Sequence, residues 1–108
     1  MLREVTESTF DEGVIEGSIR KPVLVEMYTP WCGPCKMMKP VLERIQIENE
    51  DINVYLMDIS EEYEIAKTYA VKGTPTLLLF SDGQVVWEHT GALPKQDLSA
   101  KLSELVSV

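Results

Sequence analysis

The sequence of 108 residues predicts an α/β fold in which four helices cover both faces of a central, mixed five-stranded sheet. Short apolar runs typical of strands alternate with segments of helical apolar spacing, in the order β-α-β-α-β-α-β-β-α. Asp82-Gly83 is a turn signal between the last two runs and predicts that they form an antiparallel hairpin. The sheet should therefore be mixed, with residues 1–108 forming a single domain.

After a first strand, to which the sequence pattern assigns no bounds, the first half of the chain is expected to supply one short helix, one buried strand and one long helix. Ser8 is typical of a helix N-cap, and Phe10 and Val14 then give the short helix an apolar face. The apolar run at 22–28 predicts a buried strand, and the spacing over 33–49 predicts the long helix.

The second half is expected to supply three strands and two helices. Residues 53–58 should form a strand, after which Ser60 should cap a helix that ends near Tyr69. The hairpin strands are predicted at 76–80 and 84–88. The apolar spacing of a final amphipathic helix predicts that three leucines cover the sheet: Leu98, Leu102 and Leu105.

The charge balance excludes some classes of partner. Eighteen acidic residues against ten basic ones give a net charge of -8, which disfavours nucleic-acid binding and is adequately explained by solubility. The first residues, 1–8, lack the apolar core of a signal peptide, and no apolar run is long enough to span a membrane. A cytoplasmic protein without membrane association is expected.

The only two cysteines, Cys32 and Cys35, lie between the strand at 22–28 and the helix at 33–49. A Cys-x-x-Cys pair at such a junction predicts a redox motif. The start of a helix stabilises a thiolate, which suits Cys32 as nucleophile, and Cys35 one turn later suits the resolving thiol. Half of a zinc site is the alternative, but His89 is the only histidine, so no metal is expected.

Three segments resemble the thioredoxin family. They are Trp-Cys-Gly-Pro-Cys-Lys at 31–36, Gly-Thr-Pro-Thr at 73–76 before an apolar strand, and Thr-Gly-Ala-Leu at 90–93. The resemblance extends in order from about Phe10 to Leu105, and it implies the thioredoxin fold. The Gly-Pro pair between the cysteines is similar to that of the reducing members of the family.

The resemblance implies roles for matching positions. Cys32 would attack a substrate disulfide, and Cys35 would release the reduced substrate. Pro75 would be a cis proline opposite the sulfurs, exposing the backbone of Thr74 to an extended substrate segment. Otherwise, Pro75 simply begins a strand. The implied docking surface comprises Trp31, Gly33, Pro34, Ile59, Gly73, Thr74, Gly91 and Ala92.

Trp31 has two readings. It could form a flat apolar wall beside the nucleophile, or it could pack in the core.

The chain departs from the family pattern at Glu26, where a buried aspartate is usual. If Glu26 points inward, burial should raise its pKa, and the carboxylate could take the Cys35 proton, through a water. The alternative is that it faces solvent. A lysine that the family often places on the neighbouring strand corresponds to Leu56, so no cation of that strand favours ionisation. Tyr28, where tryptophan is common, is expected to be a packing residue.

The predicted function is therefore reduction of protein disulfides by thiol–disulfide exchange. No cofactor is expected, because the six glycines are scattered and form no phosphate-binding loop. A separate thioredoxin reductase would supply the electrons to a monomeric protein. Two other functions are the alternatives. An oxidase or isomerase would need a more oxidising cysteine pair. A binding module or chaperone would retain its activity without the cysteines.

Overall fold

The computed structural model describes residues 2–106. Five strands form one sheet: β1 (Arg3–Glu4), β2 (Val23–Tyr28), β3 (Asn53–Asp58), β4 (Thr76–Ser81) and β5 (Gln84–Thr90). Their order across the sheet is β1-β3-β2-β4-β5. Strands β1, β3 and β2 are parallel, whereas β4 is antiparallel to both β2 and β5. The predicted mixed five-stranded sheet and its terminal hairpin are confirmed.

The helices connect the strands on both sides of this sheet. The first helix consists of α1 (Glu7–Phe10), a π-helical segment (Asp11–Glu16) and α2 (Gly17–Arg20) in succession. Three further helices follow: α3 (Gly33–Glu48), α4 (Tyr63–Thr68) and α5 (Lys95–Val106). None of the helices within residues 2–106 is long and apolar enough to cross a membrane.

The sheet separates two apolar clusters. Met38, Leu42 and Ile45 of α3 pack with Leu98 and Leu102 of α5 against one face. The other face carries a second cluster, in which the rings of Phe10, Tyr69 and Phe80 lie 5.4–5.8 Å apart. Because both faces of β2 are covered, five of its six residues, Val23–Met27, are buried.

Both predicted helix caps are wrong. The first helix begins at Glu7, with Thr6 at the N-cap, where its backbone N–H donates to Thr9 Oγ1 (2.9 Å). Ser60 caps nothing: its hydroxyl and its backbone N–H both donate to Asp58 Oδ1, which forms a turn at the end of β3. Helix α4 therefore begins later, at Tyr63.

The prediction for the last helix is correct for Leu98 and Leu102 but wrong for Leu105, which is exposed. Val106 packs against the core instead. The buried side chains of α5 recur every four residues, so the contact stripe drifts around the helix and leaves Leu105 at its edge.

We expect the α3 face of the core to tolerate truncation poorly. Ile45→Ala removes a fully buried side chain and should lower the free energy of unfolding by about 2–5 kcal/mol. Ile47→Ala is the matched control, since Ile47 lies on the same helix but is 71% exposed, and it should cost less than about 0.5 kcal/mol. Urea titrations of both variants measure the difference. Equal losses would contradict this packing.

Candidate active site

Cys32 occupies the N-cap position of α3. Its backbone is still extended, whereas Gly33 begins the helix, so β2 and α3 are joined by only four residues, 29–32. The Cys32 Sγ accepts a hydrogen bond from the backbone N–H of Cys35 (3.1 Å). Helix N-termini carry unpaired N–H groups and the positive end of the helix dipole. This position stabilises a thiolate on Cys32.

The two cysteines form a disulfide, with their Cα atoms 5.3 Å apart. Both residues are buried, but three neighbours of Cys32 are exposed: Trp31, Gly33 and Pro34. Trp31 is 75% exposed, so the alternative that it packs in the core is wrong. Within residues 2–106 no group of three or more His, Cys, Asp or Glu side chains is arranged to hold a metal ion.

The loop before β4 lies at the same edge of the sheet. Because β4 runs antiparallel to β2, with Met27 paired to Thr76, the start of β4 lies beside the end of β2. The Thr74–Pro75 peptide bond is cis, as predicted. The Pro75 carbonyl accepts a hydrogen bond from the Gly91 N–H (2.8 Å), which joins the loop after β5 to this edge.

This edge brings together the residues of the implied docking surface. Ile59 joins it through its N–H, which donates to the Tyr28 carbonyl at the end of β2 (2.9 Å). Gly73 lies close to Thr90, since an added Cβ would approach the Thr90 methyl group to 3.3 Å. Ala92 is exposed, whereas four of these residues are half-buried: Ile59, Gly73, Thr74 and Gly91.

Glu26 points inward and is only 2% exposed. It lies in the middle of β2, between Leu56 of β3 and Leu77 of β4, so the neighbouring strand offers it no cation. Burial raises the pKa of Glu26 to about 7. The alternative that this side chain faces solvent is wrong.

Glu26 and Cys35 line the same cavity, of about 150 Å³. A water fits in such a space, so a proton can pass between the Cys35 thiol and the Glu26 carboxylate without direct contact. The Oε2 atom of Glu26 has no hydrogen-bond partner within residues 2–106, which leaves it available for this exchange.

Sequence reasoning missed several residues around this cavity. Lys36 and Lys39 of α3 line it, together with Glu4, Thr29 and Pro30. Lys39 follows Cys35 by four residues, so the two lie on one side of the helix, and this spacing could have identified Lys39 from the sequence. Tyr28 packs against the core as expected, but its hydroxyl also donates to Glu4 Oε2 (2.7 Å), a contact between strands with no sequence signal.

His89, which the sequence offers as the only histidine for a zinc site, lies on β5, far along the chain from the two cysteines. It is half-buried, and its ring stacks on Trp87 at 6.0 Å between centroids. It is therefore a packed strand residue.

Comparison with known proteins agrees with the geometry. The family model for thioredoxin matches residues 1–104. Thioredoxin 1 of Synechococcus elongatus is 41% identical over 101 residues, 93% of this chain and 92% of that protein. The thioredoxin of Mycobacterium tuberculosis is 43% identical over 104 residues, 95% and 88% of the two chains. That of Listeria monocytogenes is 38% identical over 107 residues, 98% and 100%.

We expect the protonation of Glu26 to be visible by infrared spectroscopy. The protonated carboxyl band that disappears in Glu26→Gln should titrate with a midpoint near pH 7, because burial disfavours the charged form. Glu104→Gln, an exposed acid of α5, is the control and should leave this band unchanged. A Glu26 midpoint near 4.5 would contradict the burial of this carboxyl.

Proposed function

The chain belongs to the thioredoxin family and is a thiol–disulfide oxidoreductase, and we propose that Cys32 is its nucleophile and Cys35 its resolving thiol. The observation that carries these roles is the hydrogen bond from the Cys35 N–H to the Cys32 Sγ at the start of α3. Only one of the two sulfurs occupies the N-cap position, so only that one receives the full stabilisation of the thiolate.

The first step is attack on a substrate disulfide. The Cys32 thiolate bonds to one substrate sulfur, the substrate S–S bond breaks, and the other substrate sulfur leaves as a thiolate. A mixed disulfide between Cys32 and the substrate results. The exposed residues beside Cys32 leave space for a protein substrate to approach.

The second step releases the substrate. The Cys35 thiol gives its proton to the Glu26 carboxylate, through a water in their shared cavity, and the new thiolate attacks the Cys32 sulfur. The Cys32–Cys35 disulfide forms, and the substrate leaves as a thiol after taking up a proton. Two electrons have then passed from the cysteine pair to the substrate. A pKa near 7 suits Glu26, because it can both accept and release a proton at neutral pH.

Substrate docking is assigned to the same edge of the sheet. An extended segment would pair with the backbone of Thr74 beside the cis Pro75, as in strand addition. The small residues Gly73, Gly91 and Ala92 would allow its backbone to approach closely, and Trp31 would cover it. We propose that the protein acts as a monomer, because neither chemical step requires a residue from a second copy.

The oxidised pair has to be reduced again after each cycle. We assign this to a separate thioredoxin reductase, the partner that membership of this family suggests. A donor of electrons to protein disulfides works in a compartment where thiols are kept reduced, so we propose a cytoplasmic location.

Trapping of the mixed disulfide tests the two cysteine roles. Cys35→Ser should accumulate a covalent adduct with a disulfide-containing protein such as insulin, because the resolving thiol is missing. Cys32→Ser should form no comparable adduct, since Cys35 is not at the N-cap. Non-reducing electrophoresis and mass spectrometry measure both. Equal trapping by the two variants would contradict the assignment.

Rapid kinetics extend this test to Glu26. Glu26→Gln should leave formation of the mixed disulfide unchanged but slow its resolution at pH 7, by up to about 100-fold, because the proton acceptor is removed. Glu104→Gln serves again as the control. If both steps of Glu26→Gln keep their rates, Glu26 is not the acceptor.

A further inference from the structure

The cavity beside Cys35 holds two buried polar atoms that lack a partner. Neither Glu26 Oε2 nor Thr29 Oγ1 has a hydrogen bond within the part of the chain that is described, and both residues line this cavity. A buried polar atom without a partner costs about 1–3 kcal/mol, and an unpaired buried charge costs more. The site is therefore incomplete when Glu26 is ionised, and a water alone does not supply the missing positive charge.

Five elements surround Glu26, and four of them carry charged or titratable groups. Strand β1 contributes Glu4, whose carboxylate accepts a hydrogen bond from the Tyr28 hydroxyl of β2. Strand β3 contributes Leu56 beside Glu26, with Asp58 at its end near Tyr28. Helix α3 contributes Cys35 and both cations, and β4 contributes Leu77. Positive charge reaches this cavity only from α3, among the residues that the structure describes.

The two cations of α3 are Lys36 and Lys39. Neither forms a salt bridge within residues 2–106, and both are exposed, so their ammonium groups are not committed elsewhere. Lys39 lies four residues after Cys35 and so on the same side of the helix, whereas Lys36 is turned about 100° away from Cys35. A lysine stem is long and flexible enough to carry its charge between solvent and a nearby cavity.

We propose that Lys39 is a positioning residue that supplies the counter-charge of the Glu26 carboxylate from helix α3. Its ammonium group turns into the cavity when Glu26 is ionised and turns back to solvent when Glu26 takes the Cys35 proton. The helix thereby provides the cation that the neighbouring strand, with Leu56, does not. This inference rests on the proposed role of Glu26 as proton acceptor.

The proposal has a direct electrostatic consequence. An opposite charge within a few ångströms favours the ionised form of a carboxyl group and lowers its pKa. Burial alone acts in the opposite direction on Glu26. Lys39 should therefore hold more Glu26 in the base form at neutral pH than an uncharged residue at this position would.

The infrared titration of the Glu26 band in Lys39→Met tests this consequence. Methionine keeps much of the apolar stem and removes the charge, so the midpoint should rise by about half a pH unit or more. Lys39→Arg keeps the charge and should restore the wild-type midpoint. Lys101→Met removes one positive charge from α5, where Lys101 pairs with Glu104, and should leave the midpoint unchanged. Lys36→Met should shift it less than Lys39→Met does.

The pH dependence of catalysis supplies a second readout. The pH profile of mixed-disulfide resolution should move to higher pH in Lys39→Met by the same increment, while the first attack by Cys32 keeps its profile. An unchanged midpoint in Lys39→Met would overturn the proposal, as would an equal shift in Lys101→Met or a larger one in Lys36→Met.

Failure of the proposed function is distinguishable from failure of this inference. If Glu26→Gln leaves resolution unaffected, the role of Glu26 as acceptor fails, but the infrared shift in Lys39→Met still reports the counter-charge. If Glu26→Gln slows resolution and Lys39→Met does not shift the Glu26 midpoint, the acceptor role stands and Lys39 is not its counter-charge.

Discussion

The short connection between β2 and α3 is the constraint on which the rest of the site depends. Strand β2 is the centre of the sheet and is covered on both faces, so its end has a fixed position. Only four residues separate this end from α3, and the hydrogen bond from the Cys35 N–H holds the Cys32 sulfur at the first turn of the helix. The sulfur is thereby placed where the cis Pro75 loop and the loop at Gly91 also meet the sheet edge.

The same strand places the acid. Glu26 is two residues before the end of β2 and faces α3, so it lies beneath the helix that carries Cys35. The proposed nucleophile and the proposed proton acceptor are therefore positioned by one continuous segment, residues 26–35. The cost of this arrangement is a carboxyl group buried between two leucines, and we infer that helix α3 also supplies the charge that offsets part of that cost.

Local sequence signals predicted much of this structure. The Cys-x-x-Cys pair predicts the redox site, Asp82-Gly83 predicts the hairpin, and the apolar run around Glu26 predicts a buried strand. Each of these signals acts over only a few residues. The resemblance aligns Leu56 with the lysine that the family often places on the neighbouring strand, and the register confirms that Leu56 lies beside Glu26. Family resemblance, and not periodicity, supplied the cis form of Pro75 and the members of the docking surface.

Other features depend on contacts between distant parts of the chain and could not be read in this way. Ser60 is a local exception: its sequence context predicts a helix cap, but its hydroxyl and its backbone N–H both donate to Asp58, only two residues earlier. Glu62 accepts a hydrogen bond from the Glu7 N–H at the start of α1, 55 residues away in sequence. Glu7 in turn accepts one from the Glu64 N–H in the first turn of α4. Lys39 gains its significance only when the cavity that it shares with Glu26 is visible.

The reduction potential of the Cys32–Cys35 pair tests the central claim most directly. The protein is equilibrated in thiol–disulfide buffers of varied ratio while the fluorescence of Trp31 is followed, since the adjacent disulfide should quench it. Trp87→Phe removes the signal of the other tryptophan. A reductase should show a reversible midpoint at about -270 mV. A midpoint of about -180 mV or above, or no reversible transition, would contradict the assignment as a disulfide reductase.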